Sequence, residues 1–240
     1  MGEATNAFGQ LVGPPVQDRT PRPRPERATM TGRYCVLEPL DPGRHSAPLH
    51  AANSVDDGRM WTYLPYGPFD NVEEYGAWAE AFAADDAIVA FAIVDERTGI
   101  PAGVASYLRV SPGPGTIEVG HLAFSPALQA TTAATEAMAL LMGHVFDDLG
   151  YRRCEWKCNA LNAPSRRAAA RLGFTFEGIF RQAMVVKGRN RDTAWLSILD
   201  TEWPRQREAF GQWLDPSNLD PDGRQRRSLS SFASLKRERR

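Results

Sequence analysis

Hydrophobic positions along the chain repeat with two alternating periods, which predicts strands and helices in mixed order. Short apolar runs predict strands at 34–40, 87–95, 100–110, 116–124, 153–158, 174–187 and 193–199. Apolar residues spaced three and four apart predict helices at 45–53, 72–82, 132–149 and 164–172, and a last helix opens at Pro204. This order predicts a mixed α/β fold with helices on both faces of a central sheet.

Turn residues indicate how neighbouring strands pair. The segments 96–99, 111–115 and 188–190 are short and rich in glycine or polar residues, so each predicts a hairpin between antiparallel strands. The helix at 132–149 is a crossover, which requires strands 116–124 and 153–158 to be parallel. The predicted sheet is therefore mostly antiparallel with one parallel pair.

The two ends of the chain differ from this folded part. Five prolines between residues 14 and 25 prevent helix formation and predict a flexible, Pro/Arg-rich segment over 1–32. One domain is predicted for 33–215, and a basic tail for 216–240, because residues 222–240 hold seven Lys/Arg and two acids. The positive charge lies on the tail and not on the folded part, so a nucleic-acid partner is not expected.

Composition narrows the class of protein. Among 240 residues, 42% are hydrophobic and 24% charged, which is typical of a globular domain. The three cysteines, at 35, 154 and 158, are expected to be buried thiols in a reducing, cytoplasmic compartment. Because no second cysteine pair accompanies 154 and 158, no metal is expected. Neither a membrane span nor a signal peptide is expected from the apolar runs.

Candidate chemistry begins where strand 116–124 leads into the long helix. Small residues at 129–134 would let backbone N–H groups approach a ligand, and the helix dipole adds a positive field there. This arrangement suits a pyrophosphate. An ordinary helix start after a proline turn is the alternative interpretation.

Several local motifs agree with one family. Gln129, Thr132 and Ala134 match a Gln/Arg-x-x-Gly-x-Gly/Ala loop, with Thr132 in place of the first glycine. The other matching motifs are Asn162-x-x-Ser165, Gly173-Phe174 and Glu177-Gly178. Together with the order of elements, these resemble the GCN5-related N-acetyltransferase (GNAT) superfamily, and within it the ribosomal-protein N-terminal acetyltransferases.

The resemblance implies an acyl-CoA N-acyltransferase fold and an acetyl-CoA donor. An amine, from a small molecule or a protein N-terminus, would attack the thioester directly in a ternary complex, without a metal. The resemblance places the cofactor against Leu122, Ala123, Phe124, Gln129, Ala130, Thr131, Thr132, Ala133, Ala134, Asn159, Asn162 and Ser165. A homodimer is left open.

Three residues are candidates for proton transfer. The resemblance places Glu118 as general base, and a carboxylate inside an apolar strand is costly unless it is paired or useful. His121 would face away from Glu118 in a regular strand, but a bulge could bring both to the cleft. Ser165 is the candidate that protonates the leaving thiolate, because no tyrosine follows residue 152. Structural roles are the alternatives: a paired strand residue, a packed imidazole and a helix cap.

The acceptor pocket is expected between a loop and the closing hairpin. Trp61, Tyr63 and Tyr66 either line this pocket or cover the core, and Arg181 and Asp192 either bind substrate or lie in a solvated turn. The runner-up function is a non-catalytic acyl-CoA-binding regulatory module, which the threonine at 132 and the missing tyrosine favour.

Overall fold

The computed structural model describes residues 4–234 and contains an eight-stranded sheet of mixed direction. The strands are β1 (Ala4–Thr5), β2 (Leu11–Val12), β3 (Met30–Thr31), β4 (Cys35–Pro39), β5 (Val89–Asp95), β6 (Ile100–Ser111), β7 (Thr116–Phe124), β8 (Arg153–Asn159), β9 (Thr175–Val186) and β10 (Arg189–Leu199). The sheet order is β3-β4-β5-β6-β7-β8-β10-β9, and β1 and β2 form a separate hairpin. Only β7 and β8 pair in parallel among these described strands. The predicted fold class is confirmed.

Helices cover both faces of this sheet, as predicted. They are α1 (Pro42–Asn53), α2 (Val72–Ala84), α3 (Thr132–Gly143), α4 (Ala163–Arg171), α5 (Trp203–Leu214) and α6 (Leu229–Ser234). Alternation along β5 explains the two cores: Phe91 and Ile93 pack on the side of α3 to α5, whereas Ala90 and Ala92 pack on the side of α1 and α2. We call these the α3 face and the α1 face.

Helix α3 is shorter than the predicted helix at 132–149. The α-helical hydrogen bonds end at Gly143, and a π-helical turn follows over His144–Asp148. In that turn the Leu149 amide donates to the His144 carbonyl, five residues back. The spacing of apolar residues alone cannot distinguish an α-helical turn from a π-helical turn, because a single π turn shifts the apolar stripe only slightly.

A buried carboxylate joins α3 to the start of β4. Glu136, which is 6% exposed, accepts hydrogen bonds from the amides of Arg33, Tyr34 and Cys35 at 2.9, 2.6 and 2.9 Å. The Tyr34 hydroxyl donates to the Leu214 carbonyl at 2.9 Å, so it connects residues 180 apart in sequence. The first core strand is thereby fixed to the middle and the end of the domain.

Both ends of the chain contact the folded body of the protein. The Arg22 amide donates to the Pro112 carbonyl, and Pro23 accepts from the Tyr151 hydroxyl, so the N-terminal segment is attached to the body. Residues 216–234 also fold back, with Leu229 1% exposed. An apolar side chain therefore anchors 216–234 to the domain; residues 1–3 and 235–240 lie outside the described part. The domain boundaries stay a prediction.

Candidate functional site

A cleft opens where β7 and β8 separate. Their parallel pairing covers Thr116 to Glu118 on β7 and Arg153 to Glu155 on β8, and β7 then continues for six more residues. Beyond Glu118, the described residues of β7 have no pairing partner on the β8 side. The backbone of Leu122, Ala123 and Phe124 therefore has no strand partner on the β8 side, although the Phe124 carbonyl accepts from the Gln129 side chain, and Asn159 ends β8 on the opposite wall.

A bulge in β7 decides which side chains share this cleft. The register with β6 shifts between the pairs Ser106–Gly120 and Val104–Ala123, and His121 has a φ of 51°. A regular strand would place Glu118 and His121 on opposite faces. The bulge turns His121 to the α1 face, where Glu118 also lies, so the predicted bulge is confirmed.

His121 lies in an aromatic cluster on this face. Its ring stacks on Tyr66, with centroids 5.6 Å apart, and meets Phe82 edge-on at 5.0 Å. Burial, and then the positive charges of Arg109 and Arg191, lower the pKa of His121 to about 4. The imidazole is therefore neutral at pH 7, and its Nδ1 lies 3.3 Å from the Tyr66 hydroxyl.

Glu118 belongs to a chain of ion pairs that crosses five strands on the α1 face. Its Oε2 is 2.8 Å from Arg109 Nη1 and 2.9 Å from Lys157 Nζ. Lys157, whose side chain is 7% exposed, also contacts Glu155 at 2.7 Å and lies over the Trp195 ring. The chain continues through Arg153 to Glu177, whose carboxylate also accepts from Ser197. Glu118 is thus a paired strand residue, whatever else it does.

The start of α3 has the features that an anion requires. Thr131 caps the helix by accepting from the Ala134 amide at 3.1 Å, which leaves the amides of Thr132 and Ala133 without an intrahelical acceptor. Ala130 has a φ of 61°, which turns the loop sharply before the helix. The Gln129 side chain donates to the Phe124 carbonyl at 2.8 Å and so attaches this loop to the end of β7.

The start of α4 forms the facing wall. Asn162 is the helix cap, because its Oδ1 accepts from the Ser165 amide at 3.1 Å. A capping role for Ser165 is therefore wrong: its hydroxyl instead accepts from Trp156 Nε1 at 3.0 Å. The Asn159 carboxamide is engaged with the Leu161 amide at 2.9 Å.

The aromatic loop contributes mainly to the core. Trp61 is 4% exposed and packs against Phe69, which favours the covering role over a place in the acceptor pocket. Tyr66 is packed between Trp78 and His121. Tyr63 remains half-exposed, and its hydroxyl donates to the Leu161 carbonyl at 3.2 Å, across the mouth of the cleft.

The closing hairpin contributes less than predicted. Asp192 accepts from the Gln182 amide at 2.7 Å and from Asn190 Nδ2 at 3.0 Å, so it holds a hairpin bulge and is not free for a substrate ammonium. Arg181 is exposed, and within residues 4–234 it forms no hydrogen bond or ion pair. The Lys187 ammonium donates to the Trp61 carbonyl and holds the hairpin tip over the loop.

Sequence reasoning missed two cations of the site, Lys157 and Arg109, whereas Arg191 is visible in the sequence as a candidate for binding a substrate carboxylate. Lys157 and Arg109 pair with Glu118, and Arg191 is half-buried with a pKa lowered by burial. The charged residues at 153, 155 and 157 alternate with buried Cys154, Trp156 and Cys158, so an alternating strand with one charged face was visible in the sequence.

Residues 4–234 show neither a candidate metal site nor a membrane-spanning helix. Among residues 4–234, no group of three or more His, Cys, Asp or Glu side chains could hold a metal ion. Within the same part of the chain, no helix combines the length and the apolar character needed to cross a bilayer. Burial raises the pKa of Cys35, Cys154 and Cys158, so these thiols stay protonated.

Known proteins share this architecture. The family model described as the acetyltransferase (GNAT) domain matches residues 35–175. A GCN5-related N-acetyltransferase of known structure from Brucella melitensis is 48% identical, with a TM-score of 0.90 over 92% of this chain and 100% of its own. The uncharacterized N-acetyltransferase YnaD of Bacillus subtilis is 25% identical over 62% of this chain and 85% of its own length. In fold alone, the chain is similar to Mycobacterium smegmatis RimJ in complex with CoA-disulfide, at a TM-score of 0.61, 22% identity and coverage of 71% of this chain and 84% of that one.

Proposed function

The chain belongs to the GNAT acetyltransferase family, and from that membership we propose that it moves an acetyl group from acetyl-CoA to a primary amine. The observation that carries this proposal is the parting of β7 and β8 beside the start of α3. One end of this cleft offers free strand edges for a thioester, and the other offers free helix amides for phosphates.

The residues present fit such a donor. The pyrophosphate would accept hydrogen bonds from the amides of Thr132 and Ala133, where the helix dipole favours negative charge. The pantetheine arm would lie between β7 and α4, near Asn162 and Ser165. A backbone N–H in 122–124 would donate to the thioester oxygen, which becomes negatively charged as the amine attacks.

The reaction would proceed by direct attack. The amine nitrogen forms a bond to the thioester carbon, the carbon–sulfur bond breaks, and the CoA thiolate takes a proton. A covalent intermediate on cysteine is not part of the proposal, because Cys154 and Cys158 face α3 and remain protonated. Ser165 is the hydroxyl proposed to protonate the thiolate.

The amine must lose a proton before it attacks. We assign this proton to Glu118, directly or through one water, because it is a carboxylate on the acceptor side of the cleft. The cations Arg109, Lys157 and Arg191 around it favour the neutral form of a bound amine. His121, neutral at pH 7, is proposed to orient the amine by accepting a hydrogen bond.

The acceptor itself is proposed only as a class. Arg191 donates through Nε to the Thr193 hydroxyl, and within the described chain its other guanidinium nitrogens have no partner. Such a half-buried cation suits an acceptor with a carboxylate near its amine. Small amines and protein N-termini are both included, and the three free thiols favour a cytoplasmic setting.

Calorimetry with acetyl-CoA, followed by an amine panel, tests the proposal. We expect saturable one-to-one binding and acetylation that falls at least 100-fold in Glu118→Gln while acetyl-CoA binding persists. Glu80→Gln is the matched control, because Glu80 is an exposed carboxylate on α2 that forms no ion pair among the described residues.

A non-catalytic acyl-CoA-binding module is the second candidate. It is favoured because the Glu118 carboxylate already forms ion pairs with Arg109 and Lys157. Binding without turnover of any amine in the panel would select the module. No binding at millimolar acetyl-CoA would refute both.

A further inference from the structure

A segment outside the matched family residues folds back onto the start of α3. Residues 216–234, which we call the C-terminal strap, follow α5 and close a turn through the bridge between Leu219 and Gln225. Leu229 anchors the strap in the α3-face core, and Arg227 stacks on Phe232 with its guanidinium carbon 4.3 Å from the ring centre. The strap therefore has a fixed position on the body of the protein.

A relay of side-chain amides leads from α5 to the start of α3. We call the free amides of Thr132 and Ala133 at this helix start the phosphate seat. Asn218, 5% exposed, donates through Nδ2 to the Trp213 carbonyl at 3.0 Å and to Gln225 Oε1 at 2.5 Å. Gln225 Nε2 then donates to Thr132 Oγ1 at 3.4 Å. Because Gln225 Oε1 is held by a donor, its Nε2 must be the atom that faces Thr132.

This relay determines what the Thr132 hydroxyl can do. A hydroxyl that accepts a hydrogen bond still has its own hydrogen to donate. Thr132 lies at the first helical position of α3, beside the free amides of the seat. Its hydroxyl hydrogen is thus left for an acceptor at that seat, and a phosphate oxygen is such an acceptor.

We infer that the C-terminal strap is part of the cofactor seat, with Gln225 as a positioning residue that orients the Thr132 hydroxyl toward the pyrophosphate of CoA. This inference rests on the proposed function. It explains why a threonine can replace the first glycine of the GNAT family's loop. Glycine lets the backbone approach the pyrophosphate closely, whereas the threonine hydroxyl supplies a hydrogen-bond donor.

A second contact supports the same arrangement. Arg171, at the end of α4, donates to Thr135 Oγ1 at 3.1 Å and lies over the Trp213 ring, 4.9 Å from its centre. Trp213 also holds Asn218 through its carbonyl. Trp213 of α5 therefore contacts both the amide relay and the Arg171 guanidinium at the first turn of α3. The same residue supports the C-terminal strap and the phosphate seat.

A double-mutant cycle on acetyl-CoA affinity tests the inference. Gln225→Met keeps the size of the side chain and removes the amide, and Thr132→Ala removes the hydroxyl. We expect each single variant to raise the dissociation constant about 3- to 10-fold, as the loss of one hydrogen bond predicts. The double variant should be no weaker than Thr132→Ala, because the two residues act through one contact. If the increases in dissociation constant of the two single variants multiply in the double variant, the inference is overturned. An unchanged affinity in Gln225→Met would also overturn it.

A second measurement separates positioning from general support of the fold. S-acetylpantetheine lacks the pyrophosphate, so Gln225→Met should lower kcat/KM for acetyl-CoA and leave kcat/KM for S-acetylpantetheine unchanged. Gln212→Ala, an exposed amide on α5, is the control and should alter neither. Equal losses for both donors would overturn the role of Gln225 while the proposed function stands. Failure of the unaltered protein to bind acetyl-CoA would instead refute the proposed function.

Discussion

His121 makes the stability of the protein depend on pH in a window that one substitution can isolate. Its pKa is about 4 in the folded protein, against 6.5 for a free imidazole, mainly because burial disfavours the charged form. The unfolded chain therefore binds this proton below pH 6.5, whereas the folded protein does not. The stabilising contribution is complete above pH 6.5, falls as the pH drops, and is lost at about pH 4.

The size of this effect follows from the two pKa values. Between pH 7 and pH 5, titration of His121 alone should remove roughly 2 kcal/mol from the free energy of unfolding. His121→Asn eliminates the titration and suits the backbone, because asparagine tolerates a φ near 51°. The free energy of unfolding of the wild type, relative to that of His121→Asn, should thus fall by roughly 2 kcal/mol from pH 7 to pH 5.

Urea unfolding at both pH values, followed by circular dichroism, measures the difference. Tyr66→Phe is the control: it removes the hydroxyl near Nδ1 but keeps the ring that buries His121, so the wild-type pH dependence should persist. Equal pH slopes for the wild type and His121→Asn would show that the imidazole is solvated, and would refute the neutral His121 on which its proposed role depends.

Three other substitutions test contacts that hold the site in place. Glu136→Gln should lower the free energy of unfolding by about 2–4 kcal/mol, because three amides lose a charged acceptor; exposed Glu80→Gln should cost under about 0.5 kcal/mol, and urea unfolding of both checks this. Lys157→Met should cost about 3–5 kcal/mol by the same measurement, since two buried carboxylates lose their shared cation, and a cost near zero would contradict the ion-pair chain. Gly173→Ala should lower the melting temperature by several degrees, because φ is +98° and the new Cβ would lie 2.7 Å from the Gln206 side chain.

Local sequence signals were sufficient to predict the order of the elements and the directions of the strands. The hairpin turns and the crossover helix determine strand directions, so the parallel pair of β7 and β8 followed from 111–115 and 132–149. The spacing of Asn71 and Glu74 also matches a capping box, and in the structure the Asn71 side chain accepts from the Glu74 amide. Such features depend on neighbours within a few residues.

Contacts between distant segments were not predictable. The partners of Glu118 come from β6 and β8, and which cations meet it depends on strand register. Burial of Trp61 depends on the whole α1 face, and the contact between Gln225 and Thr132 joins residues 93 apart. No local sequence pattern encodes these contacts, so the sequence indicated only a basic tail where residues 216–234 fold back onto the domain.

The hydrogen bond from Tyr34 to Leu214 has a consequence for synthesis on the ribosome. After Tyr34 is added, the ribosome must add 180 further residues before Leu214, which supplies the acceptor, exists. At about 5–20 residues per second, this interval lasts on the order of 10–40 s. Throughout that time the start of β4 lacks its contact with the end of α5, although Glu136 and β5 can already hold it. Premature termination before residue 214 would leave the domain unclosed and open to proteolysis.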